Sequence, residues 1–279
     1  MLTLPIVYCL EWAVDELFDR GFCHLLLAID VGNTNITLGV YRGSELVADW
    51  RLRTLGRTVD EFGILLRDLL EHSNLSVDDI TDVAISNVVP PTLSTLAETS
   101  RKYFGVEPYI VDTGKETQIR ICYEPKSDVG ADRIVNAVAA FALYGGPAVI
   151  VDFGTATTFD AISANGDYLG GAIAPGINIS LDALYKATAR LRRINLVRPP
   201  SPIGTTTETS MQAGIVYGFA GQVDEIVNKF REELGEDVKV IATGGLAELI
   251  AAETRTIQVV NQMLTLEGLR LMWEKSHSL

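Results

Sequence analysis

The chain has 279 residues, of which 47% are hydrophobic, and this composition suffices for about two compact domains. No apolar run approaches the ~18 residues that a membrane-spanning helix needs. The net charge of −13 disfavours non-specific nucleic acid binding and docking on anionic membranes, so neither partner is expected. Three scattered cysteines, with no CxxC pair, indicate a reducing, cytoplasmic setting.

Residues 1–23 precede the first predicted strand. Leu10, Val14, Leu17 and Phe18 have the spacing of a short amphipathic helix. Acidic residues interrupt this stretch, whereas a secretory signal keeps its apolar region uncharged. We therefore predict an N-terminal extension that is not an export signal.

The next part of the chain predicts a three-stranded meander followed by alternating helices and strands. Short runs of apolar residues are separated by turns rich in Gly, Asn and Thr, as is typical of tight hairpins. The predicted strands are 25–30, 36–41, 46–54, 81–88 and 108–112, and the predicted helices are 60–72 and about 91–103.

The same pattern begins again at residue 148. When Asp30 is aligned with Asp152, Gly32 falls on Gly154, and each aspartate is followed at nearly equal spacing by a hairpin glycine. A match in order and spacing indicates an internal duplication. Helices 181–188 and 211–234, strand 238–245 and helix 264–275 complete the prediction. The fold class is therefore α/β, with mixed sheets flanked by helices in two domains, 24–140 and 141–279, and an interdomain cleft suited to a ligand.

The chain lacks the P-loop motif GxxxxGK[ST] and has no GxGxxG after a strand, so phosphate binding requires a different motif. The segment DVGNTNIT, residues 30–37, offers one, because its glycine permits a sharp turn and its amides and hydroxyls can donate to phosphate. DFGTATTFD, residues 152–160, repeats it, and the glycines of TGG, residues 243–245, would let an adenosine approach closely. Each segment alone is equally compatible with an ordinary hairpin or turn.

The order DVGNTN, GADR, DFGTATTFD, GGAIAPG and TGG resembles the type III pantothenate kinases, within the superfamily of actin, sugar kinases and heat-shock ATPases. The resemblance covers essentially residues 25–273. It implies two ribonuclease-H-like (actin-like ATPase) domains. It also implies ATP-dependent phosphorylation of pantothenate to 4′-phosphopantothenate, the first step of coenzyme A biosynthesis.

ATP and its cations have candidate sites in these segments. Asp30, at the carboxyl end of the first predicted strand, is suited to holding Mg²⁺ through a water molecule. The resemblance implies that Asp152 binds a monovalent cation, K⁺ or NH₄⁺. The implied ATP contacts are Asp30, Val31, Gly32, Asn33, Thr34, Asn35, Ile36, Thr37 and Thr155.

For the substrate, the resemblance assigns Asp132 as the general base that accepts the proton of the pantothenate hydroxyl. The alternative is an aspartate that only decorates a helix start. Arg133 would hold a substrate oxygen, or else form a surface salt bridge. The other implied contacts are the backbone of Gly130 and Ala131, the ring of Tyr123, and Thr207 from the neighbouring subunit of a homodimer.

The sequence departs from the family at two adjacent positions. Thr205 and Thr206 stand where a Lys and an Asn or Ser are usual, which affects local substrate contacts more than the reaction. Two alternatives to a pantothenate kinase remain: another hydroxyl-directed kinase, such as a sugar kinase, and a non-catalytic relative acting as an accessory factor in transcription. The presence of Asp30, Asp132 and Asp152 favours an enzyme.

Overall fold

A computed structural model describes residues 24–114 and 118–277, which form two five-stranded mixed sheets. The predicted extension, residues 1–23, lies outside the described residues. The first sheet has the order β3-β2-β1-β4-β5, with β1 (Leu25–Val31), β2 (Asn35–Arg42), β3 (Glu45–Arg53), β4 (Ile80–Asn87) and β5 (Tyr109–Ile110). The second has the order β10-β9-β6-β7-β8, with β6 (Ala148–Phe153), β7 (Ala156–Ile162), β8 (Tyr168–Pro175), β9 (Lys239–Thr243) and β10 (Val259–Val260).

The two sheets have the same topology. In each, three strands form an antiparallel meander, a fourth pairs in parallel with the first, and a fifth pairs in parallel with the fourth. The predicted duplication and fold class are thereby confirmed. The central strands β1 and β6 are buried along almost their whole length, as expected for strands covered on both faces.

The helices follow the predicted pattern with small differences at their ends. Their bounds are α1 (Val59–His72), α2 (Pro90–Thr99), α3 (Ala131–Tyr144), α4 (Ile177–Ala187), α5 (Thr207–Leu234), α6 (Ala247–Ala251) and α7 (Leu264–His277). The helix predicted through Tyr103 changes to a π turn over Ser100–Phe104 after α2. Across the described residues, none of the helices combines the length and apolar character needed to cross a bilayer.

Helices α3 and α7 lie between the two sheets. Ile134 and Ala137 of α3 pack against strands β6 and β7, while Ala131 and Val135 pack against β1, β4 and α7. A helix that is apolar nearly all round is expected in such a doubly covered position. As a result, the carboxyl ends of β1 and β6 and the start of α3 meet at one cleft.

Candidate active site

The first predicted phosphate loop is a tight turn between β1 and β2. The Gly32 amide donates to the Asn35 carbonyl at 2.9 Å, which closes the turn. Thr54, which follows β3, braces it: its hydroxyl donates to the Gly32 carbonyl at 2.6 Å and its amide to the Thr34 carbonyl at 3.0 Å. Asn33, Thr34 and Asn35 are exposed, so their polar groups are available to a ligand.

Two residues predicted to contact ATP point away from this turn. The side chains of Val31 and Ile36 belong to the hydrophobic core of the first sheet. Any contact that they make with a nucleotide must therefore use backbone atoms.

The second loop lies between β6 and β7, with Gly154 and Thr155 exposed. The hydroxyls of Thr34 and Thr155 lie 2.8 Å apart and share a hydrogen bond, although 121 residues separate them in sequence. The two predicted loops are therefore direct neighbours across the cleft.

The TGG turn follows β9, which runs parallel to β6 with Thr243 beside Asp152. Gly244 has φ +93°, and a Cβ there would lie 2.6 Å from the Asp152 Oδ1 atom and 2.7 Å from the Phe153 backbone. Only glycine fits this position, because both its backbone conformation and its surroundings exclude a side chain. The turn is thereby held directly against the second loop.

The cleft encloses a cavity of about 460 Å³, within the range of small-molecule sites. Both loops, the TGG turn, helices α3 and α7, and strand β3 contribute to its walls. The polar lining residues include Asp30, Asn33, Thr34, Asn35, Thr37, Arg51, Asp132, Asp152, Thr155, Thr158, Thr243 and Gln262.

Three carboxylates in this cavity interact electrostatically. Burial, followed by the charge of Asp132, raises the pKa of Asp30 to about 7, and the Ser86 hydroxyl partly opposes this. Burial, followed by the charges of Asp132 and Asp160, raises the pKa of Asp152 to about 7. Burial also raises the pKa of Asp132, against the stabilising effect of the Arg133 amide. The cleft thus favours cations that would compensate these charges.

The cavity fits a hard cation. Asp30 Oδ1 is buried and accepts no hydrogen bond from any described residue, as expected of an oxygen placed for a metal ion or its water. The described residues contain no cluster of three His, Cys, Asp or Glu that could ligate a metal. Backbone oxygens, hydroxyls, water or phosphate would have to complete the coordination.

Asp132 is in the first turn of α3 and lines the cavity. Its Oδ1 accepts the Arg133 amide at 2.8 Å, so it does stabilise the helix start, while the N-cap residue itself is Gly130. The two interpretations of Asp132 are compatible, since one carboxylate oxygen can serve the helix and the other a ligand.

Arg133 does not form a surface salt bridge. Its side chain is 11% exposed; Nε donates to Asp160 Oδ1 at 2.7 Å, and Nη2 lies 2.6 Å from the same oxygen. The Tyr168 hydroxyl donates to that oxygen at 2.8 Å. Sequence reasoning missed Asp160, although an aspartate within the apolar strand β7 was a usable signal.

The remaining predicted substrate residues lie outside the cavity. Tyr123 is 37% exposed, and its ring approaches Gly170 on β8, near Tyr168.

Thr207 begins α5 and is exposed in a separate depression lined by Leu184, Leu191 and Met211. Within one chain, Thr207 therefore does not lie next to Asp132. Thr206 is the N-cap of α5 and accepts the Thr209 amide at 3.2 Å.

Comparison with known proteins gives a consistent result. A family model described as type III pantothenate kinase matches residues 26–229. A type III pantothenate kinase of Moorella thermoacetica is 51% identical over 253 residues, which cover 90% of this chain and 100% of the relative.

Two solved structures share the fold. A conserved Campylobacter jejuni protein, described as a candidate Baf family transcriptional activator, has a TM-score of 0.57 at 19% identity, covering 91% of this chain and 100% of that one. Component A of (R)-2-hydroxyglutaryl-CoA dehydratase from Acidaminococcus fermentans has a TM-score of 0.56 at 13% identity, covering 91% and 99%. At these identities the likeness concerns the fold alone.

Proposed function

The chain belongs to the type III pantothenate kinase family, and from this premise we propose that it transfers the terminal phosphoryl group of ATP to the hydroxyl of pantothenate. The product is 4′-phosphopantothenate, from which coenzyme A biosynthesis proceeds. The observation that carries the proposal is the convergence of two related turns, the TGG turn and Asp132 on one cleft.

In this proposal, Asp132 orients the pantothenate hydroxyl and accepts its proton as the phosphoryl group is transferred. The exposed amides and hydroxyls of the turns at Gly32 and Gly154 hold the phosphate oxygens, which is positioning and electrostatic catalysis rather than covalent catalysis. Tyr123, Gly130, Ala131 and the ion-paired Arg133 would bind pantothenate.

Asp30 and Asp152 would bind cations. Asp30 would hold Mg²⁺ through water, and Mg²⁺, when bound, offsets the negative charge on the transferred phosphoryl group. Asp152 would bind K⁺ or NH₄⁺ beside the TGG turn. The raised pKa values of both carboxyls support this proposal, because a bound cation would stabilise their ionised forms.

We place the activity in the cytoplasm and in a homodimer. The position of Thr207, exposed and away from its own cleft, supports a role in the site of a neighbouring subunit. One side of α5 carries Gly214, Gly218 and Gly221, where an added Cβ would meet no atom within 4 Å. This side is open to a second copy.

A coupled assay of ADP release tests the proposed function. Pantothenate should support turnover with Mg²⁺ and K⁺, whereas a panel of sugars should not. Turnover should fall when Na⁺ alone replaces K⁺. Asp132→Asn should keep its thermal stability and ATP affinity while losing about 10²-fold or more in turnover. Sugar-dependent turnover would indicate a different kinase, and the absence of any turnover would favour the non-catalytic alternative.

A further inference from the structure

Arg51 lies on β3 directly opposite Thr37 of β2 in the antiparallel register. Directly paired residues place their side chains on the same face of a sheet. Both residues line the cleft, so the first sheet directs a guanidinium group into it.

The charge of Arg51 stands out in this cavity. Among the described residues that line it, Arg51 is the only basic one, facing the carboxylates of Asp30, Asp132 and Asp152. Burial raises the pKa of Asp152, and the positive charge of Arg51 is one of the groups that partly oppose this increase, so the two residues interact electrostatically. A polyphosphate bound in this cavity would meet no other basic side chain among the described residues that line it.

The guanidinium also reaches the second half of the molecule. Arg51 Nη1 lies 3.1 Å from the position that a Cβ on Gly245 would occupy. No described residue forms a hydrogen bond or ion pair with the side chain of Arg51, and the residue is exposed. A planar fork of unused donors therefore spans from the first sheet to the TGG turn.

We propose that Arg51 binds the α- and β-phosphates of the nucleotide, an inference that rests on the proposed kinase function. The adenosine is assigned to the TGG turn and the transferred phosphoryl group to the turns at Gly32 and Gly154. Arg51 lies beside the TGG turn. It is therefore close to the α- and β-phosphates, which must connect the adenosine to the transferred phosphoryl group. Guanidinium–phosphate pairs can form two parallel hydrogen bonds, which fix position as well as charge.

The test compares Arg51→Gln with Arg53→Gln. Arg53 lies two residues further along β3, loses the same charge on substitution and does not line the cavity. Arg51→Gln should weaken ATP and ADP binding alike, by about tenfold to a hundredfold in a calorimetric titration, as expected for losing charged hydrogen bonds. Adenosine binding, measured by competition, should be unchanged. Arg51→Lys should recover part of the loss, and Arg53→Gln should bind like the wild type.

Three outcomes would overturn the inference. Unchanged ATP affinity in Arg51→Gln would show that the guanidinium does not touch phosphate. An equal loss for adenosine would mean that Arg51 only supports the TGG turn, and a loss confined to ATP would move it to the γ-phosphate. Pantothenate-dependent turnover of the wild-type protein separates each of these outcomes from a failure of the proposed function.

Discussion

Asp160 is fully buried and charged, and its surroundings explain why it is tolerated. Burial raises its pKa to about 6, and the ion pair with Arg133 and the Tyr168 hydroxyl oppose that increase. A buried ion pair contributes little net stability, but removing one partner leaves a costly unpaired charge. We infer that Asp160 is a positioning residue, which holds Arg133 for the substrate.

This inference predicts a specific kinetic effect. Asp160→Asn leaves Arg133 without its counter-ion, so KM for pantothenate should rise about tenfold or more, with ATP affinity retained. Because this change also destabilises the fold, Tyr168→Phe is the milder companion variant, since it removes a single donor to Asp160. Steady-state kinetics of the folded fraction of each variant measure this change in KM. A lower melting temperature with unchanged KM in both variants would reduce Asp160 to a structural role.

The raised pKa of Asp152 predicts how the stability of the protein depends on pH. Its pKa is about 7 in the folded protein against an ordinary 3.8, so the folded state binds the proton more tightly than the unfolded chain. The resulting stability is fully present below about pH 3.8 and is lost as pH rises through about 7. Without nucleotide or added K⁺, Asp152→Asn should therefore melt at a higher temperature than wild type at pH 8, with a smaller difference at pH 5.

The control for this pH effect is Asp68→Asn, which removes an exposed carboxylate from α1. Thermal unfolding of the three proteins across this pH range provides the measurement. Parallel melting curves for wild type and Asp152→Asn would contradict the assigned pKa.

At the scale of elements, the strands and turns that form the site could be predicted. β1 and β6 are apolar runs that end in an Asp-x-Gly turn, and both the strand and the turn leave local signals in the sequence. The short strand β10 was missed, because two residues cannot display a periodic pattern.

The contacts that join elements could not be predicted from local patterns. Thr54 braces the Gly32 turn from the end of β3, and Arg51 enters the cleft from the same strand. Asp160 meets Arg133 across 27 residues. Each of these contacts depends on strand register and on how α3 packs, which the spacing of residues along the chain does not specify.

At the scale of the whole molecule, the two halves are joined by shared helices. Helix α7 comes from the end of the chain, yet Leu266 and Leu269 pack with Leu26 and Ala28 of the first sheet. The domain boundary near residue 140 stays a prediction. Because α3 and α7 contact both sheets, any movement of one sheet relative to the other must involve these helices.

The open side of α5 bears on assembly. A helix that is apolar on more than one side is either buried in its own domain or shared with a partner. Met211, Ala220 and Val223 are buried in the core of the second sheet, whereas the glycines of the opposite side are exposed. The nearby Ile203 is 80% exposed and adds apolar surface beside these glycines.

The proposed homodimer can be tested with two inactive variants. Asp132→Asn removes the base, and Thr207→Trp blocks the contact that each chain would make with its neighbour's substrate. In a two-fold dimer with shared sites, a mixed pair contains one intact site, formed by Asp132 of one chain and Thr207 of the other. An equimolar mixture that exchanges subunits freely should regain about a quarter of wild-type activity, because half of the dimers are mixed and one of their two sites is whole. The control mixes Asp132→Asn with a variant that carries both substitutions. No chain in this mixture has Asp132, so subunit exchange should restore no activity. An active monomer in light scattering, or confirmed exchange without recovery, would contradict the shared site.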